Sequence, residues 1–316
     1  MNLSDLFEDR KAEPMLIKQQ QEAFDDPDWI YELKLDGFRC LAYLEGETAL
    51  TDLRNKRNVR MLGKFPELQG LGNYVSQCCI LDGEIVVMKN GVPDFYELQR
   101  RTLLTDPFKI RLVAERFPAA FVAYDCLYCN SEELLDVPLM SRKEQLAALI
   151  RQEMPFFAVS RYIDGRGRAL YQLCEEQKLE GVVAKRKGSL YRMGKRTKDW
   201  IKFKRMADEE YIVAGYIQKG EGHYRLILAK YRNETLIYKG HLSSGVTGDI
   251  ISYLRPSDDV FLPLIPAEEK GDVVWVKPEK VCRVEYMPNT RNALRQPVFR
   301  GFRDDMMPWE VVEPNG

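Results

Sequence analysis

Histidine is nearly missing from this 316-residue chain: only His223 and His241 occur, which leaves imidazole-centred catalysis little to work with. Cysteine is sparse and odd in number at seven, which argues against a disulfide framework in a chain of this length. Cys126 and Cys129 have C-x-x-C spacing. No second cysteine or histidine pair sits at a partnering distance, and the adjacent Cys78-Cys79 cannot chelate in that way, so a zinc site is not expected. No apolar run approaches the roughly 20 residues that span a bilayer, and Met1-Asn2-Leu3-Ser4-Asp5 does not start a basic-then-apolar export signal. A cytoplasmic, membrane-free protein is expected. Internal repeats and low-complexity tracts are absent as well.

Net charge is also missing: 47 Lys and Arg face 48 Asp and Glu, for −1 overall, which excludes a uniformly basic nucleic-acid binder. The average hides a strong asymmetry. Residues 1–33 hold nine acids and three bases, whereas residues 185–205 hold ten bases and only Asp199. The basic run is interleaved with Tyr191 and Trp200, a composition suited to a phosphate backbone. Its candidate contacts are Lys185, Arg186, Lys187, Arg192, Lys195, Arg196 and Lys198.

The most informative stretch is Tyr31-Glu32-Leu33-Lys34-Leu35-Asp36-Gly37-Phe38-Arg39. It alternates, so a strand places Lys34 on the face of Glu32 and Asp36, with Tyr31, Leu33 and Leu35 behind. Gly37 is expected to make a tight turn. A lysine presented this way is either half of a buried ion pair or a nucleophile. Lys202 and Lys204 likewise share a strand face, opposite Ile201 and Phe203.

At this length two domains are expected. Residues 1–28 read as an irregular acidic lead. Residues 29–205 read as an α+β domain with antiparallel sheets: strands at 30–35, 40–44, 80–88, 119–128, 181–185 and 200–204, helices near 95–102, 142–152 and 167–177. A capping box at Ser141-Arg142-Lys143-Glu144 is expected to start the second helix. Residues 206–210 form a charged link, the candidate hinge. In 211–316, short strands at 211–217, 224–231, 235–241, 273–277, 280–286 and 298–302, with one helix near 247–255, indicate a small Greek-key barrel.

Six segments in order resemble the ATP-dependent DNA ligases of the covalent nucleotidyltransferase superfamily, closest in look to compact bacterial end-joining types. They are Lys-x-Asp-Gly-x-Arg at 34–39, Arg54-Asn55, Leu81-Asp82-Gly83-Glu84-Ile85-Val86, Tyr124-Asp125-Cys126-Leu127-Tyr128, Glu180-Gly181-Val182-Val183-Ala184-Lys185 and Trp200-Ile201-Lys202-Phe203-Lys204. The resemblance implies a nucleotidyltransferase (adenylation) domain at 29–205 and an OB-fold barrel at 211–316. It also implies ATP with Mg²⁺ or Mn²⁺, nicked duplex DNA as substrate, a monomer, and end-binding or repair proteins as possible partners.

In that scheme Lys34 takes AMP from ATP and passes it to a 5′-phosphate, which the 3′-hydroxyl then attacks. Lys202 and Lys204 supply cations beside the amine and, with Asp36, complete the catalytic set. Glu180 is the metal-associated carboxylate, Glu84 grips the ribose, and Arg39 and Arg54 meet sugar or phosphate. Tyr124 stacks on adenine and Glu32 contacts the base. Arg303 and Asp305 match the family's Arg-x-Asp-Lys segment, but its lysine position holds Met306, so slow self-adenylation is expected. Two other identities compete: an RNA ligase or capping-type transferase, and a weakened homologue that only binds DNA ends. The first is disfavoured by Asp-Gly-Glu at 82–84 and Gly240-His241-Leu242-Ser243-Ser244-Gly245; only Met306 favours the second.

Overall fold

The computed structural model describes residues 6–20, 22–89, 92–204, 206–258, 273–287 and 294–313. The chain divides into two compact units, Met1–Lys204 and Arg205–Gly316. Among the described residues no helix is long and apolar enough to cross a membrane.

The first unit is built on two sheets. One orders β1 (Leu16–Gln20), β12 (Arg196–Lys204), β11 (Gly181–Arg186), β2 (Trp29–Leu33) and β10 (Tyr162–Asp164). Period-two alternation gives it two unlike faces. Trp29, Tyr31, Val182, Ala184, Ile201 and Phe203 pack with Leu170 and Cys174 of helix α5 (Gly167–Glu176). The alternate positions bring a row of charge together on the other face, where Val183 is the register partner of both Glu32 and Lys202.

The second sheet orders β4 (Leu50–Asn55), β3 (Phe38–Glu45), β5 (Cys79–Lys89), β7 (Ala119–Cys129) and β8 (Glu132–Glu133). β6 (Val92–Pro93) joins β5, and β9 (Phe157–Val159) joins β7. Leu41, Tyr43, Ile80 and Leu127 of this sheet share a buried cluster with Ile30 and Trp200 of the first, so the charged face lies over a packed floor.

Several expectations need correction. The pairings are not all antiparallel, since β1–β12 and β7–β9 run parallel. The supposed irregular lead contains helix α1 (Leu6–Asp9) and edge strand β1; most of β1 is exposed, so its sequence carries no alternation to read. Helix α2 (Phe95–Leu103) falls where a helix was expected and is capped by Asp94, but α3 (Pro107–Arg116) was not foreseen, although Asp106 capping with Pro107 behind it is a start signal. Helix α4 (Leu139–Leu149) begins after Pro138, so Ser141 lies inside it and makes no capping box.

The second unit curls one sheet ordered β15 (Thr235–Leu242), β14 (Tyr224–Arg232), β13 (Ala207–Gln218), β17 (Val281–Met287) and β18 (Arg295–Phe302), with β16 (Val273–Trp275) on β13. A parallel bridge between Ser244 and Val298 joins its ends, and helix α6 (Gly248–Ser252) follows β15. Residues 207–210, read as a link, pair with β17 as the start of β13, so the division between units falls at 204/205.

One buried ion pair fixes α4 on the first unit. Arg142 donates to both oxygens of Asp125 (2.8 and 2.7 Å) and to the carbonyls of Val137 and Ser189 (2.6 and 2.9 Å), with both side chains at zero exposure. Removing one partner strands the other charge in the core. Arg142→Met should therefore cost about 3–5 kcal/mol in denaturant titration, with a smaller loss in the Asp125→Asn/Arg142→Met pair.

Candidate active site

β2 ends at Leu33, one residue before Lys34, but the Lys34 N–H still donates to the Gly181 carbonyl at 2.8 Å, which anchors the amine's stem to β11. Gly37 is needed for close approach rather than for a left-handed turn: a Cβ there would collide with the Ile85 carbonyl and the Glu84 side chain. Gly181 has φ +144°, and a Cβ would run into the Phe203 carbonyl. These two glycines let β3, β5, β11 and β12 converge on Lys34.

The carboxylate facing Lys34 is not the expected one. Lys34 Nζ meets Glu180 Oε2 at 2.8 Å, and Lys204 Nζ stands 3.8 Å from Glu180 Oε1. Glu32 is bound elsewhere, with Lys143 Nζ at 2.5 Å, Lys185 Nζ at 2.9 Å and the Ser160 hydroxyl donating at 3.3 Å. Asp36 lies partly buried on the bend before β3. Burial pushes the Glu32 carboxyl up, but the Lys185 and Lys143 ammoniums overcome this and hold it below its ordinary value. Lys185 itself falls to about 8, through burial and then the repulsion of Lys143, against the pull of Glu32. Burial also lowers Lys202, with the Lys34 ammonium adding to it.

Lys185 thus leaves the predicted DNA-contact set. It is buried, with its ammonium 4.3 Å from the Tyr124 ring centre and 4.2 Å from that of Trp200. The charge run concealed it; its shared parity with Val183 was the signal available. Lys143 was missed altogether, because nothing in its own helix points to Glu32. Of the remaining bases, Arg186, Lys187 and Arg192 pair with Asp199, Asp164 and Asp136. Lys195, Arg196 and Lys198 are exposed and make no side-chain ion pair among the described residues.

Lys34, Glu84, Tyr124, Val183, Lys185 and Trp200 line one cavity of about 40 Å³. Arg39 is held by protein partners: it forks onto Asp82 (3.0 and 2.6 Å), donates to the Met15 carbonyl at 2.5 Å, and sits 5.7 Å from the Tyr124 ring centre. Arg54 lies on edge strand β4, bound to Asp52 at 2.9 Å and to Asn58 at 3.2 Å, and does not line this cavity. In the second unit Arg303 is held by Asp305 (2.8 and 2.9 Å) and Glu210 (2.7 Å). Met306 packs on Ile212, Val281 and Val311, so its position faces an apolar cluster.

Among the described residues no three His, Cys, Asp or Glu side chains form a metal cage. Glu180, with Glu84 near it, suits an ion that keeps most of its ligands as water and phosphate oxygen.

The model of the ATP dependent DNA ligase domain matches residues 11–204, and that of the ATP dependent DNA ligase C terminal region matches residues 219–306. The chain belongs to the ATP-dependent DNA ligase family. It is 33% identical over 303 residues to the multifunctional non-homologous end joining protein LigD of Pseudomonas aeruginosa, covering 90% of this chain and 34% of that protein. The chain therefore spans about a third of that relative's length. DNA ligase C1 of Mycolicibacterium smegmatis is 31% identical over 312 residues, covering 91% of this chain and 87% of that one. Among solved structures, a mycobacterial DNA ligase D complexed with ATP and MES is 26% identical with a TM-score of 0.54, covering 96% of this chain and 98% of that one. The family's architecture, a nucleotidyltransferase domain followed by an OB-type domain, agrees with the two units.

Glu84 carries a pH signature. Burial first, then Glu180 and Asp82, raise its carboxyl from 4.5 to about 8, against Lys34 and Arg39. Between those values the unfolded chain has released a proton that the folded chain keeps, so stability falls as pH rises through this window. Glu84→Gln abolishes that term. Its melting temperature relative to wild type should rise from pH 5 to pH 9 in ligand-free protein.

Proposed function

We propose that this ligase seals 3′-hydroxyl/5′-phosphate nicks in duplex DNA through a covalent Lys34–AMP intermediate. The observation that carries this reading is that Lys34 lines a cavity together with Tyr124 and has Glu180, Lys202 and Lys204 close by.

In the first step the Lys34 nitrogen attacks the α-phosphorus of ATP; a P–N bond forms, pyrophosphate leaves and the amine gives up a proton. The ammonium–carboxylate pair with Glu180 must open first, since only the free amine is nucleophilic. Lys202 and Lys204 stand where negative charge gathers on the α-phosphate. In the second step AMP passes to the DNA 5′-phosphate as an anhydride and Lys34 is released. In the third the 3′-hydroxyl attacks that phosphorus, closing the backbone and expelling AMP.

Glu180, with Glu84 near it, would hold the divalent cation, which when bound neutralises triphosphate charge. Glu84 is the candidate ribose partner, and Tyr124 gives the base a ring to stack on. Glu32 accepts and Lys185 donates, a pair matching adenine's amino group and neighbouring ring nitrogen. Guanine reverses that order of donor and acceptor. The family's Arg-x-Asp-Lys segment implies that Arg303 helps orient the departing pyrophosphate, to which Met306 adds no charge. End joining or another repair pathway is the proposed setting, with a monomer acting on nicked DNA beside end-binding proteins.

The test is a duplex with one nick labelled at its 5′-phosphate, incubated with Mg²⁺ and either ATP or GTP. A sealed strand with ATP and none with GTP is expected. An unchanged strand with ATP contradicts the reading, and sealing with GTP contradicts the base assignment. In the same assay Lys185→Met should raise the ATP concentration needed for half-maximal self-adenylation by about 10- to 100-fold, the worth of one charged hydrogen bond.

A further inference from the structure

Lys143 is buried and charged, and the chemistry above does not use it. It is 7% exposed and does not line the cavity beside Lys34. Its place is set by its neighbour: Arg142, forked onto Asp125, pins the start of α4 to β7, and Lys143 is the next residue of that helix.

Three contacts hold the Lys143 ammonium. Glu32 Oε1 on β2 lies 2.5 Å away, the Tyr124 carbonyl on β7 accepts from it at 3.1 Å, and the Tyr162 ring centre on β10 stands at 5.3 Å. One cation therefore ties β2 to β7, and it does so at the two residues proposed to meet the base, Glu32 at its edge and Tyr124 at its face. Anchoring α4 does not require this contact, since Arg142 and Asp125 already supply a buried ion pair.

The two oxygens of Glu32 are treated unequally. Oε2 accepts from Lys185 at 2.9 Å and from the Ser160 hydroxyl at 3.3 Å. Oε1 meets Lys143 as an ion pair, yet it is buried and accepts no aligned hydrogen bond. Each carboxylate oxygen has two lone pairs, and a buried acceptor left unfilled is costly. Oε1 is thus the oxygen kept for a donor brought by a ligand.

Lys143 also governs what Glu32 can do there. Burial favours the neutral acid, and the two ammoniums together overcome it. Without Lys143, only Lys185 would oppose that burial. A protonated Glu32 carries an O–H donor and loses its preference for an amino group over a carbonyl.

We infer that Lys143 is a positioning residue for base selection, holding Glu32 Oε1 as an acceptor for the purine's amino group without touching the nucleotide. The inference rests on the base assignment made above and names the group that enforces it.

The test measures calorimetric affinity for AMP and for purine riboside monophosphate, which is AMP without its amino group. The protein is first cleared of adenylate with pyrophosphate. Lys143→Met should weaken AMP binding about tenfold or more, the worth of a hydrogen bond to a charged group. Binding of purine riboside monophosphate should stay within about twofold of wild type, because a contact the ligand never makes cannot be lost. Lys143→Gln, which keeps a donor for the Tyr124 carbonyl and guards against a folding defect, should show the same selective loss. In self-adenylation, the rise in half-saturating ATP should exceed the fall in maximal rate. Equal losses for both nucleotides overturn the inference, since they would make Lys143 a general support of the cavity. So does unchanged AMP affinity in both variants. Wild type that binds the two nucleotides equally would instead remove the base assignment itself. AMP forms no bond to Lys34, so failure of wild type to seal nicks would count against the sealing reading alone.

Discussion

An excess of positive charge gathered around one sheet face organises the first unit of this molecule. Five lysines, Lys34, Lys143, Lys185, Lys202 and Lys204, gather around Glu32 and Glu180. Glu84 cannot redress the balance below pH about 8, because burial keeps it protonated. Lysines so placed repel one another and lose hydration, a cost repaid only in part by two carboxylates. A ligand with several negative charges relieves that imbalance, which suits the triphosphate of ATP.

The fold provides the frame that such a face requires. α5 and the apolar side of β2, β11 and β12 form a rigid back, and Arg39 and Asp82 brace Tyr124 from the other sheet. Glycine at 37 and 181 lets backbones close to distances no side chain would permit. The second unit repeats the principle in a different form: its segment around Arg303 is pinned by carboxylates, and Met306 is part of the barrel's apolar packing.

Much of this was legible in the sequence wherever period-two alternation ran undisturbed. The shared face of Lys202 and Lys204 and the presence of most long strands follow from local pattern alone, although β2 stops at Leu33, short of Lys34, and β4 and β10 were not read. Partnerships between distant segments did not. Glu32 and Lys34 are neighbours in sequence, yet one binds Lys143 and Lys185 while the other binds Glu180, because strand pairing and not sequence distance sets which charges meet. Lys185 was read as exposed because its charge run is; the boundary between buried and exposed falls between Lys185 and Arg186, where β11 leaves the core. β1 was invisible because an edge strand buried on neither side leaves no hydrophobic period.

The central claim is that Lys34 forms a bond to AMP, and the most direct measurement is peptide mapping by mass spectrometry after incubation with ATP and Mg²⁺, at a pH that preserves phosphoramidates. The account predicts an added adenylate on the peptide carrying Lys34, removed by pyrophosphate or by nicked DNA. An adenylate on any other residue, or none on protein that still seals nicks, would contradict it.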